Sequence, residues 1–192
     1  MPGQLKIISY NQSHRIKKLK FFEIGHVYLP SEDDQLLPDE REHLSISIAG
    51  GDATEIVAIL DMLSLTMAFP NMQLKQQQIE GLHPGRSAQV FVAGQERGAV
   101  GEVDPRVLRN YGIDDSVAWL ELDLGSILAG PFGKKKYTSV SKYPSSDIDL
   151  AFEVPDDTSS ASVAGCLRKA GGTYLKEVQL FDSYKADGAN EG

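Results

Sequence analysis

The stretch from Gly81 to Pro105, GLHPGRSAQVFVAGQERGAVGEVDP, limits what this chain can fold into more than any other. Two short apolar runs, Ala88–Ala93 and Gly98–Val103, flank Gly94-Gln95-Glu96-Arg97. Runs with β-branched residues on either side of a glycine-containing linker read as a β-hairpin. His83-Pro84-Gly85 reads as a turn that opens it. Gly98 and Gly101 lie inside the second run. A strand interior gains nothing from an unneeded glycine, so both mark a bulge or a close approach of two backbones. The upstream sequence reads as support for this sheet and the downstream sequence as a second unit.

Upstream, Leu5–Tyr10 is a short apolar run. Asn11–Lys20 is polar and basic, with His14, Arg15, Lys17, Lys18 and Lys20. It reads as a solvated loop, with a phosphate-facing patch as the alternative. Phe21–Leu29, FFEIGHVYL, is aromatic and β-branched, as a strand requires. Glu23 and His26 are three apart and point to opposite faces of a regular strand, so they are edge or solvent residues rather than a catalytic pair. Pro30–Arg41 is acidic and reads as an exposed loop. His43–Ala49 sets Leu44, Ile46 and Ile48 against Ser45 and Ser47, the alternation of a half-buried strand. Asp52 or Thr54 caps the next element. Thr54–Phe69 is a helix with Ile56, Ile59, Leu60, Leu63 and Met67 on one face, closed by Pro70. Its methionines read as core filling. Asn71–Glu80 is a polar linker or strand.

Beyond the hairpin, Pro105–Tyr111 reads as a short helix with proline in its first turn and Gly112 as its stop. Val117–Leu124 alternates around Trp119 and Glu121 as a further strand of the same sheet, and a short helix runs from Asp123 to Leu128. At Ala129 the character changes. Residues 129–136 form a linker rich in Gly and Pro that ends in Lys134-Lys135-Lys136. A second unit follows over 137–192: a strand at Asp147–Val154, a helix at Ala161–Ala170 and a strand at Leu175–Phe181. The whole is an α+β chain of two units, 1–128 and 137–192.

Composition narrows the chemistry. Asp and Glu outnumber Lys and Arg 27 to 19, for a formal net charge of −8. This opposes general attraction to nucleic acid, so any RNA contact needs a local basic patch. The single cysteine, Cys166, excludes an intramolecular disulfide and a multi-cysteine metal site, and fits a reducing compartment. Its place beside Val163 and Leu167 reads as a buried small hydrophobe. Met1-Pro2-Gly3-Gln4 lacks a signal-peptide pattern, and no apolar run is long enough to cross a bilayer. A soluble, cytoplasmic protein without membrane contact is expected. The four histidines, at 14, 26, 43 and 83, lack metal-ligand spacing. No helix opens on Gly98-Ala99-Val100-Gly101, so it is not a dinucleotide fingerprint. Asp147 and Asp149 share a strand face, which reads as solvated, with a carboxylate dyad as the alternative. The residues themselves thus yield no catalytic, cofactor-binding or metal-binding set.

The wording of the motifs goes further. FFEIGHVY at Phe21–Tyr28, HPGRSA at His83–Ala88 and GEVDPRVLRNYGI at Gly101–Ile113 resemble the C-terminal half of the bacterial phenylalanyl-tRNA synthetase β subunit. YPSSDIDLAF at Tyr143–Phe152 and LFDSY at Leu180–Tyr184 resemble the anticodon-binding domain that ends that subunit. The motifs keep the family's order over nearly the whole chain. Asp104 stands where the family usually has histidine, and Ile148 where it usually has arginine.

The resemblance implies a class II synthetase-like antiparallel sheet over residues 1–128 that lacks the active-site residues. It implies a partial ferredoxin-like anticodon-binding unit over 137–192, whose missing third strand would lie between the two traced here. The chain is therefore expected to be a fragment, or to have its missing pairing supplied by another chain. The implied partners are the α subunit, which binds phenylalanine and ATP and carries out the chemistry, and tRNA. An αβ heterotetramer using ATP and Mg2+ is expected for the complete enzyme, with no cofactor in this chain. The candidate tRNA contacts are Lys134, Lys135, Lys136, Lys142, Tyr143, Phe181, Tyr184 and Lys185, through phosphate pairing and base stacking. His83, Arg86, Gly98 and Gly101 form a structural motif that holds the hairpin, with α-subunit contact as the alternative. The rival reading is a free-standing protein-interaction module with a synthetase-like fold.

Overall fold

The computed structural model describes residues 1–30, 37–130, 142–155 and 158–182. The chain divides into two compact units, Met1–Thr138 and Ser139–Gly192. In the first, the described residues build a six-stranded antiparallel sheet from β1 (Leu19–Leu29), β2 (Asp39–Ala49), β3 (Gln73–Gln76), β4 (Leu82–Val92), β5 (Gln95–Val103) and β6 (Val117–Asp123), in the order β1-β2-β6-β5-β4-β3. The last strand in sequence thus enters the middle of the sheet, between β2 and β5. Four helices accompany it: α1 (Pro2–Ser13), α2 (Ala53–Met67), α3 (Pro105–Asn110) and α4 (Leu124–Ala129).

Alternation along the central strands sends side chains into two cores. On one face Leu44, Ile48, Val90, Val100, Ala118, Leu120 and Leu122 meet Ile56 and Leu60 of α2 and Ile127 of α4. On the other, Ala49, Val103, Val117 and Trp119 meet Leu5 and Ile8 of α1 and Leu108 of α3. The period of two feeds both layers, so β6 is buried on both faces, with only Glu121 partly exposed. The serine face of β2 is therefore covered at Ser47 and partly so at Ser45, which corrects the half-buried strand read from its alternation. Ser47 is fully buried, and its hydroxyl donates to Gln4 Oε1 at 2.7 Å; Ser45 does the same at 2.9 Å.

The local signals explain most boundaries. Asp52 caps α2 by accepting from the Glu55 N–H at 2.8 Å. Ala68 ends that helix in the left-handed region, φ 54°, two residues ahead of Pro70. Asp123 caps α4 through the Ser126 N–H at 2.9 Å. Of the two methionines in α2, Met67 packs against the core, whereas Met62 is 57% exposed.

In the second unit, α5 (Ser160–Gly171) forms as expected, capped by Ser159, and a single 3-10 turn, Gly172–Tyr174, follows. The expected strands do not form: the described residues at 147–154 and 175–181 join no ladder. A strand exists through hydrogen bonds to a neighbour. Neither of these two stretches pairs with another strand among the described residues. Their apolar residues are correspondingly open, with Ile148 at 78% and Phe181 at 72% exposure. Cys166 is also exposed, as no residue of α5 is buried among the described residues, which corrects the buried reading.

Candidate functional site

The Gly81–Pro105 stretch is a hairpin with two irregularities, each beside one of the glycines. Its turn is shorter than its sequence implies. Ala93 and Gly94 alone make it, both at positive φ (53° and 78°), and β5 begins at Gln95 rather than after Arg97. The register passes from Phe91↔Glu96 to Val90↔Gly98, so Arg97 bulges. At the other end it passes from Ser87↔Gly101 to Leu82↔Val103, so His83, Pro84, Gly85 and Arg86 stand opposite Glu102 alone. The triplet expected to open the hairpin is thus an outward loop within β4.

Both glycines mark close backbone approaches. A Cβ on Gly98 would lie 2.0 Å from the Glu121 carbonyl oxygen, and one on Gly101 2.4 Å from that of Arg86. No side chain fits at either position, which is the physical content of the two glycines in the second apolar run.

The loop is tied down by polar contacts. Arg86 Nε lies 2.9 Å from Glu102 Oε2. The other oxygen of Glu102 accepts the Ala53 N–H at 3.1 Å, at the start of α2. His83 Nδ1 accepts the Gly85 N–H at 3.1 Å. Next to the loop, Asp104 caps α3 through the Arg106 N–H at 2.7 Å and accepts Arg106 Nη2 at 2.7 Å. The Arg106 guanidinium, helped by the backbone bond and by the charge of His83, holds the Asp104 carboxyl down at about 2. Glu102 was not singled out in the sequence, and its signal was its place opposite an arginine-bearing bulge; Asp104 stood out only as the residue ahead of Pro105 where the family usually has histidine.

A second polar cluster sits where β2, β6 and α4 meet. His43 Nδ1 is 2.8 Å from Glu121 Oε1, and Arg41 Nη1 is 3.6 Å from Asp123 Oδ2. Burial pushes the Asp123 carboxyl up, but the Ser126 hydroxyl and N–H, with His43 and Arg41, outweigh it and leave it below its ordinary range.

Among the described residues the other sequence candidates do not converge. Lys134, Lys135, Lys136, Tyr184 and Lys185 lie outside the described residues. Lys142 and Tyr143 are exposed, as are Phe181, Asp147 and Asp149. His26 and Glu23 are exposed on edge strand β1, and His26 Nδ1 lies 3.4 Å from Glu40 on β2 rather than near Glu23. ATP and its divalent ion need clustered carboxylates and available arginines. Among the described residues no group of three or more His, Cys, Asp or Glu side chains is arranged to hold a metal ion, and Arg86 is paired with Glu102. No helix among the described residues is long and apolar enough to cross a membrane.

Comparison with known proteins gives the family. A family model described as the phenylalanyl tRNA synthetase beta chain CLM domain matches residues 1–124, and one described as the ferredoxin-fold anticodon binding domain matches residues 141–192. Among curated relatives, the phenylalanine–tRNA ligase beta subunit of Clostridium tetani is 32% identical over 100% of this chain and 24% of its own length. That of Lactiplantibacillus plantarum is 31% identical over 95% of the chain and 24% of its length, and that of Xanthomonas oryzae 31% over 100% and 26%. The chain spans about a quarter of the length of these relatives. Among solved structures, the pyrrolysyl tRNA synthetase PylSc of Desulfitobacterium hafniense aligns with TM-score 0.50 and 18% identity over 66% of this chain and 46% of that one, a likeness of fold. The chain belongs to the phenylalanyl-tRNA synthetase β chain family.

Proposed function

We propose that this chain acts as a non-catalytic support within a cytoplasmic phenylalanine–tRNA ligase. It scaffolds the catalytic α subunit and helps position tRNA for ATP-dependent phenylalanylation, in an αβ heterotetramer. The observation that carries this reading is the paired match, in order, of a β chain CLM domain and an anticodon-binding domain. The sheet supports it: its positions of closest strand approach are filled by glycines, and the arginine beside them neutralises a structural glutamate. ATP and Mg2+ belong to the α subunit's site in this reading. His83, Arg86, Gly98 and Gly101 hold the hairpin, and Lys142, Tyr143 and Phe181 are the described tRNA candidates. Phenylalanine-dependent exchange of pyrophosphate into ATP tests the silent role: the chain alone should stay at background, and turnover would overturn the proposal.

One observation favours a second reading, a protein-interaction module that has kept the fold without the α subunit or tRNA. The described residues of the second unit include no buried residue on α5 and no strand, while Ile148, Leu150 and Phe152 are all more than half exposed. Surfaces of this kind are used for association.

A further inference from the structure

The polar, basic stretch after α1 is not absorbed by the account above. Its cations are all exposed, and the fold fixes where they stand. Asn11 and Gln12 close α1 by accepting the N–H groups of Ile16 and Arg15 at 3.0 and 2.9 Å, with Arg15 in the left-handed region at φ 68°. This is the helix-ending turn that glycine or asparagine usually fills. Here it holds an arginine, and Lys17 and Lys18 follow it within three residues, all three exposed. Lys20 is already paired with Glu55, whereas Arg15, Lys17 and Lys18 make no ion pair among the described residues. On the helix itself, Lys6, Tyr10 and His14 are spaced by four and share one exposed face. Tyr10 is 66% exposed, and its ring is tilted against that of His14 with centroids 4.5 Å apart.

We propose that this surface, Tyr10 and His14 with Arg15, Lys17 and Lys18, is a contact for the RNA backbone and an unstacked base, separate from the anticodon-binding unit. It rests on the tRNA reading under Proposed function. On a chain of net charge −8, three exposed, unpaired cations within four positions are the local patch that attraction to RNA requires. An exposed aromatic pair beside them favours RNA over an acidic protein, because every base offers a face to stack on while a carboxylate does not. The cations neutralise phosphates and release their counterions; the Tyr10 ring stacks.

The test is tRNA binding by the full chain, followed over a range of salt concentrations. Lys17→Ala/Lys18→Ala is expected to weaken binding about tenfold or more and to lower the slope of log affinity against log salt by about 2. Lys75→Ala/Arg97→Ala, the same charge removed on the hairpin side of the sheet, is expected to change neither by as much. Tyr10→Leu is expected to weaken binding with the salt slope unchanged. Arg15→Gly separates binding from folding. Glycine suits the left-handed turn, so the melting temperature should hold or rise while tRNA affinity falls. If the chain binds tRNA but these variants bind as tightly as the parent, this inference fails and the wider tRNA reading stands. If the parent binds no tRNA, both fail. If polyglutamate competes as well as RNA of equal charge, the surface belongs to an acidic protein partner and the RNA assignment is overturned.

Discussion

Arg86 Nε and Glu102 Oε2 lie 2.9 Å apart, across the point where four residues of β4 stand opposite one residue of β5. Glu102 is largely buried and Arg86 half exposed, so the arginine is what makes a carboxylate tolerable there. The same glutamate receives the N–H of Ala53, tying the hairpin to the start of α2. Arg86→Ala leaves that carboxylate short of its partner. The expected loss is about 1–2 kcal/mol, below the range for a fully buried pair because water reaches the arginine. Urea unfolding measures it. Glu102→Gln keeps the Ala53 bond and should cost less than Arg86→Ala.

Replacing Gly98 or Gly101 by alanine forces a Cβ to within 2.0 and 2.4 Å of backbone oxygens that cannot rotate away. Each substitution is expected to cost about 3 kcal/mol or to abolish folding. Gly94→Ala meets no atom within 4 Å and carries only the cost of positive φ, about 1 kcal/mol. Thermal melts of the three variants should therefore separate into two groups.

The Asp104 carboxyl, held at about 2 against an ordinary 3.8, makes a pH-dependent contribution to stability. A carboxyl lowered on folding stabilises fully above its unfolded value and is lost as pH falls through its folded value. The melting temperature of the parent should thus drop between pH 3.8 and about 2 more steeply than that of Asp104→Asn. Parallel acid limbs in the two proteins would remove Asp104 from the account.

Gln4 is 2% exposed and accepts from both Ser45 and Ser47, which fixes α1 on the sheet. Gln4→Leu leaves the buried Ser47 hydroxyl without its acceptor, for an expected loss of about 1–3 kcal/mol. Gln4→Leu/Ser47→Ala should recover part of it, since the second change removes the orphaned donor.

These contacts mark the boundary of what the sequence showed. The hairpin, α2 and its Asp52 cap, α3 with Pro105 at its start, and β6 were all legible, because each rests on local spacing and turn chemistry. The close approaches at Gly98 and Gly101 were legible as glycines without a local reason. α1 was not: Leu5–Tyr10 looked like a short apolar run, since only Leu5 and Ile8 are buried among its apolar residues and Ile7 is exposed. Pro2 in its first turn and the three-residue spacing of Leu5 and Ile8 were the available signals. The serine face of β2 was read as solvated because the residue that satisfies it, Gln4, is remote in sequence. The strands of the second unit were misread for the opposite reason. Their local pattern is strong, but a strand depends on a neighbour that local pattern does not reveal.

The α subunit of phenylalanine–tRNA ligase tests the central proposal most directly. Sedimentation velocity of the 192-residue chain mixed with that subunit at micromolar concentration is predicted to show a faster-moving joint species, at a ratio of one to one. Two independent boundaries at every concentration up to that range would contradict the scaffold role and leave the interaction-module reading in its place.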